Sequence, residues 1–182
     1  GPRRVKAGAA RDHFLGFSAV SGRGEVFKSG GRVVKNVTGF DLSKLMAGSY
    51  GTLAGMTELT IKVLPAPEKI RTVLISWAKD GIYDHGGVKA MTDAMASPHE
   101  VSGAAHMPAG IAERSSVSYV GDSGRAVTAL RVEGPEPSVA HRCEALKNLL
   151  GKYGDIEELH TQNSTAFWCD VRVVQCFVEN QD

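Results

Sequence analysis

The 182-residue sequence contains no GxGxxG dinucleotide fingerprint and no GxxxxGK[ST] phosphate loop. The two glycine motifs with the best-understood nucleotide mechanics are therefore absent, and neither a Rossmann domain nor a phosphate-loop NTPase is expected. Metal-ligand spacing is missing too: the six histidines, His13, His85, His99, His106, His141 and His160, form no HxH or HExxH pair, so no metal site is expected. Without a Gly-x-Ser-x-Gly elbow, and with no serine or cysteine whose histidine partner the sequence identifies, nucleophilic hydrolysis has no support. The cysteines number three, an odd count without framework spacing, which argues against a secreted disulfide scaffold. A reducing compartment, the cytoplasm, is the expected location. Cys169 and Cys176 sit at a helical spacing that indicates packing rather than redox pairing. No apolar run approaches the roughly 20 residues a bilayer span requires, and no signal-peptide pattern opens the chain, so membrane association is expected only through partners. A net charge of +1 with dispersed lysines and arginines gives no electrostatic footprint for nucleic acid.

What the sequence does have is concentrated between Gly30 and Pro65, GGRVVKNVTGFDLSKLMAGSYGTLAGMTELTIKVLP. A helical pattern over Asp41 to Ala47 carries Leu42, Leu45 and Met46, read as core, with Thr38 or Asp41 as the cap. Gly48, Gly51 and Gly55 follow, and then an alternating strand over Met56 to Leu64. In that strand Leu59, Ile61 and Val63 point one way and Glu58, Thr60 and Lys62 the other, which predicts one buried face before Pro65 ends it. Glycines between a helix and a strand let a backbone approach a flat ligand closely, although glycines used only for turning produce the same spacing.

Ahead of this segment, Phe14 to Val20 and Glu25 to Lys28 read as a hairpin joined at Ser21-Gly22-Arg23-Gly24. Pro65-Ala66-Pro67 marks a boundary, giving domains over 1–66 and 67–182. Beyond it come a strand at Val73 to Trp77, a helix carrying Val88, Met91 and Met95, and a return strand at Val101 to His106. The pattern repeats with a strand at Ala126 to Val132, a helix carrying Val139, Cys143, Leu146 and Leu150 between a Ser138 cap and Gly151, and a strand at Ile156 to His160. Two such β-α-β units predict a ferredoxin-like sandwich, with the helices on one face of an antiparallel sheet.

The order KNVTGFDLSKLMAGSYGTL followed by MTELTIKVLP resembles the second FAD-contacting stretch of the vanillyl-alcohol-oxidase (PCMH-type) flavoproteins. Together with the opening GPRRVKAGAARDHFLGFSAVSGRGEVFKSGG, it is most similar to the E-subunit family of glycolate oxidases within them. The resemblance covers about the first third of the chain and implies an internal piece of a longer protein. The fold it implies is α+β: the C-terminal part of a PCMH-type FAD-binding domain followed by an incomplete ferredoxin-like cap domain over the substrate side of the flavin. By position it assigns FAD contacts to Gly1, Pro2 and Arg3, to the turn of Gly8, Ala9, Ala10, Arg11 and Asp12, and to the loop of Gly51, Thr52, Leu53, Ala54, Gly55, Met56 and Thr57. It places Lys35 and Thr38 near the substrate and leaves the catalytic residue unassigned.

Two departures bear on mechanism. The related D-type subunits and D-2-hydroxyacid dehydrogenases carry a carboxylate-binding arginine where this chain has Val34, and valine offers no bidentate fork. Ala54-Gly55-Met56 stands where a glycine and two β-branched residues are usual. The resemblance implies an FAD-binding subunit in the oxidation of glycolate or a related 2-hydroxy acid, partnered by a D-type flavin subunit and an iron-sulfur subunit. Val34 favours the alternative, a structural or electron-relay subunit whose substrate site lies in the D-type partner. A ferredoxin-like sensing module would account for the second half alone.

Overall fold

The computed structural model describes residues 2–35, 39–77 and 84–174. Two compact units emerge, Gly8–Ala66, and Gly1–Ala7 with Pro67–Asp182.

In the unit Gly8–Ala66, the short helix α2 (Ala10–His13) leads into β1 (Phe14–Ser21), which is flanked on both sides by antiparallel neighbours, β2 (Val26–Gly30) and β3 (Ala54–Ile61). Helix α3 (Leu42–Met46) starts where Asp41 Oδ1 accepts a bond from Lys44 N at 3.2 Å, so of the two expected caps the described one is Asp41. Phe14, Phe17, Ala19, Met46 and Ala54 form the core, with Leu42 packed against it. Leu45, expected in that core, is 62% exposed. Five residues make little more than one helical turn, so α3, which packs on β1 and β2, covers few positions. The expected buried face of β3 is not buried either: Leu59, Ile61 and Val63 are 54, 60 and 78% exposed. Strand β3 ends at Ile61, short of Val63, and the core of this unit, Phe14, Phe17, Ala19, Met46 and Ala54, includes none of the three.

The other unit holds helix α1 (Arg4–Ala7), which packs with β5, and a four-stranded sheet. Its elements run β4 (Lys69–Ser76), α4 (Asp84–Ala96), β5 (Gly103–Met107), α5 (Ala109–Ala112), α6 (Ser118–Gly121), β6 (Val127–Gly134), α7 (Glu136–Leu150), β7 (Asp155–Leu159) and α8 (Thr161–Val173). The strand order β5-β6-β4-β7, antiparallel at every step, is that of a ferredoxin-like sheet. Helices α4 and α7 cover one face, where Val73, Ile75, Leu130 and Val132 meet Ala90, Ala94, Val139, Cys143, Leu146 and Leu150.

The second face is also covered, contrary to the one-faced sandwich expected. Leu74, Met107, Val127, Ala129 and Leu159 pack against Ala112, Val117 and Val120 around α5 and α6, and against Phe167 and Trp168 of α8. Helix α8 is fixed by a buried polar contact in which Trp168 Nε1 donates to Thr72 Oγ1 at 2.7 Å while Thr72 and Ser164 share a second bond at 2.7 Å. Two local expectations also fail. Helix α7 begins at Glu136 behind Pro135 with Pro137 in its first turn, which moves the N-cap from Ser138 to Pro135. Val88 on α4 is exposed, while Met91 and Met95 pack against the core.

Candidate functional site

The loop between α3 and β3 is built on left-handed backbone. Gly48, Tyr50 and Gly51 have φ of +89°, +51° and +78°, and only glycine adopts this region without cost. Thr52 braces the turn, its N and Oγ1 donating to Ser49 O at 3.0 and 2.7 Å. Tyr50 at the tip is 97% exposed, whereas Ala54 is buried and Thr57 Oγ1 bonds Ser18 O at 3.2 Å. Leu53 and Met56 are exposed apolar side chains. The Ser49 hydroxyl is buried and, among the described residues, has no hydrogen-bond partner.

Gly55 differs from the loop glycines. Its φ lies outside the left-handed region, and nothing beyond its chain neighbours comes within 4 Å of where a Cβ would stand. Neither conformation nor packing inside this unit demands glycine there, in a strand position where glycine is unfavourable.

The turn Gly8–Asp12 closes on itself. Asp12 Oδ2 accepts Ala9 N at 2.7 Å, and Asp12 N bonds Ala9 O at 2.9 Å. The bond donated by Ala9 N to the carboxylate, helped by the nearby charges of Lys44, His13 and Arg11, outweighs desolvation and holds the Asp12 carboxyl below its ordinary value. Ala10 and Arg11 are exposed on α2.

A cavity of about 210 Å³ lies beside this turn, lined by Phe14, Leu15, Val33, Val34, Lys35, Asp41 and Lys44. Its polar groups are unequal. The Asp41 carboxylate caps α3, and Lys44 Nζ donates to Arg11 O and Phe14 O, both at 2.7 Å. Lys35 forms no hydrogen bond or ion pair among the described residues and is the uncommitted cation of the lining. Val34, 75% exposed, adds only apolar wall.

The anticipated residues thus fall into separate groups. Gly8 to Asp12 and Lys35 gather near the start of β1. Gly51 to Thr57 meet its other end, where Ser21 pairs Ala54 and Val20 pairs Gly55. At about 3.3 Å per residue the two groups stand roughly 23 Å apart along the strand. Pro2 and Arg3 belong to the other unit, where Arg3 Nη2 bonds Glu133 Oε1 at 2.7 Å. Gly1 and Thr38 lie outside the described residues. Lys44 escaped sequence reasoning because its partners are carbonyls about thirty positions away, which no local pattern signals.

The ferredoxin-like unit carries a wider cleft of about 830 Å³, lined by Ser76, Tyr119, Asp122, Arg125, Asp155 and Glu157 among others. It is open to solvent, Arg125 pairs with Asp155 there at 2.7 Å, and none of the anticipated residues reaches it.

The architecture is that of part of a PCMH-type FAD-binding fold followed by a ferredoxin-like unit, a likeness of fold alone. Among solved structures, an alkyldihydroxyacetonephosphate synthase superposes with a TM-score of 0.63 at 17% identity, covering 97% of this chain and 34% of that one. The BBE-like 1 protein of Physcomitrella patens superposes with a TM-score of 0.59 at 16% identity, covering 88% and 31%. In sequence, the chain is similar to FAD-linked oxidoreductases. It is 52% identical over 67 residues to glycolate oxidase subunit GlcE of Escherichia coli, a match covering 37% of this chain and 19% of that protein. It is 40% identical over 74 residues to glycolate oxidase subunit GlcD of Bacillus subtilis (41% and 16%), and 43% identical over 77 residues to a D-lactate dehydrogenase of Anaerostipes hadrus (42% and 16%). The chain spans less than a fifth of the length of these curated relatives. No family model matches it. Among the described residues, no helix is long and apolar enough to cross a membrane.

Proposed function

We propose that this chain is part of an FAD-dependent oxidoreductase of small 2-hydroxy acids, and that its Gly8–Asp12 turn and its Gly51–Thr57 loop hold the cofactor. Gly55 carries this reading: a strand glycine with open space before it and no conformational need is explained by a flat group lying against the backbone. The unpartnered Ser49 hydroxyl in the same loop fits a site completed by a polar ligand. The backbone N–H groups of the loop and turn would bind and orient the dinucleotide, and the apolar Leu53 and Met56 would exclude water from its edge. When bound, FAD supplies the two-electron chemistry, which is why no nucleophile or metal set need come from the protein.

The likeness to GlcE and GlcD extends the proposal to a subunit of a glycolate oxidase assembly that also holds a D-type flavin partner and an iron-sulfur partner, with electrons passing through flavin to a partner subunit. Within it, the substrate carboxylate is bound outside this chain's cavity. Among the described lining residues Lys35 is the cation not spent on the backbone, and a monodentate ammonium is a poor match for a carboxylate that a guanidinium fork would grip. The second reading, with the substrate beside Lys35, has the cavity's small size in its favour.

The test is purification of the complete protein and measurement of its flavin, followed by anaerobic addition of glycolate or D-lactate to the complete protein within its assembly. Bound FAD that bleaches on addition is the expected result for the assembly. A complete protein that neither retains nor binds FAD would remove the proposal.

A further inference from the structure

We infer that Lys44 is a positioning residue, an ammonium clamp that ties the Gly8–Asp12 turn to α3 and so sets both cofactor-holding segments of this unit at once; the inference rests on the FAD reading above. Three observations converge on it. Lys44 Nζ donates to two main-chain carbonyls, Arg11 O and Phe14 O, at 2.7 Å each. These oxygens lie where α2 gives way to β1, a place where a helix leaves carbonyls without intrahelical partners. The same residue sits in α3, whose last turn runs into the glycine loop through Ala47 N to Ser43 O at 3.2 Å and Ser49 N to Met46 O at 3.1 Å. One side chain therefore joins the start of β1 to the helix that launches the loop meeting its far end.

The chemistry requires a cation with several donors. Charge-assisted bonds to carbonyls are stronger than neutral ones, and an ammonium has three hydrogens to share. Lys44 also lines the 210 Å³ cavity, with its charge spent on the backbone rather than offered to a ligand. This separates its role from that of Lys35, which lines the same cavity uncommitted.

The experiment uses the complete protein with Lys44→Met, which keeps the stem and loses the donors, and Lys44→Arg, which keeps two or more donors. Flavin-free protein is titrated with FAD, and the visible circular dichroism of the bound flavin is recorded. We expect Lys44→Met to weaken FAD binding about tenfold, part of the lost clamp energy reaching the cofactor through the two segments it sets, with an altered dichroism band, and Lys44→Arg to restore both within about twofold. A merely structural role would lower the melting temperature of the flavin-free protein but leave affinity and dichroism unchanged well below it, and that result overturns the inference. If Lys44→Met does not fold, Lys44→Arg decides alone: wild-type affinity and dichroism support the clamp, and a folded Lys44→Arg with tenfold weaker binding contradicts it. Failure of the wild-type protein itself to bind FAD would instead remove the reading on which the inference rests.

Discussion

Gly55 stands directly opposite Val20 in the β1–β3 ladder, an apolar residue on the central strand facing a residue with no side chain on the edge strand. The pair marks a place where the sheet withholds a side chain that its own packing would accept, since no other part of the unit lies within 4 Å of the missing Cβ.

The division of labour within the cavity gives the first prediction. Lys35→Ala in the complete assembly should leave the Michaelis constant for glycolate within about twofold, because a substrate carboxylate held elsewhere loses nothing. If the carboxylate does meet Lys35, loss of a charge-assisted bond costs about 1.5–3 kcal/mol and raises the constant more than tenfold. Steady-state kinetics at wild-type flavin content distinguish the two.

The ferredoxin-like unit should show an acid limb set by Glu158. Burial pushes its carboxyl up, but hydrogen bonds and charges from Lys147 and Arg71 outweigh this and leave it below its ordinary value of 4.5. A depressed folded value means that the stabilisation is present above the unfolded value and is lost as pH falls through the folded one, below about 4.5. Glu158→Gln should cost about 1–3 kcal/mol at pH 7 and flatten the melting-temperature profile between pH 5 and pH 3. An unchanged profile would show that these ion pairs contribute nothing.

Thiol reactivity supplies a check on the core. Burial raises Cys143 to about 11, and it sits 1% exposed among Val139, Leu146 and Leu150, while Cys169 is exposed beside Arg172. Iodoacetamide at pH 8 should alkylate Cys169 in the native protein and spare Cys143 until denaturant is added. Peptide mapping reads the outcome, and native modification of Cys143 would mean that α7 does not pack as described.

Much of the ferredoxin-like unit was legible because its signals are local. Val139, Cys143, Leu146 and Leu150 repeat at helical spacing, and all four are buried. The second covered face was harder to see. Val73, Leu74 and Ile75 form an unbroken apolar run, the mark of a strand buried on both sides, but a run alone does not say what covers the far side. Leu59 and Ile61 mislead for the opposite reason: alternation fixes which side chains share a face, but not whether the rest of the unit covers it, and the core of this unit leaves both out. In the site, Gly48 and Gly51 announce their left-handed backbone by being glycines. The bonds of Lys44 to Arg11 and Phe14 join residues distant in sequence and leave no periodic trace.

The most direct test of the account is Gly55→Val in the complete protein, with FAD affinity and flavin-free melting temperature measured side by side. In an edge strand with open space, valine should leave the fold as stable as before or raise its stability by up to about 1 kcal/mol, through lower backbone entropy and better strand propensity. FAD binding should nevertheless weaken by at least tenfold, because the added bulk fills the space that the cofactor needs. Wild-type affinity in a folded Gly55→Val protein would contradict the FAD reading.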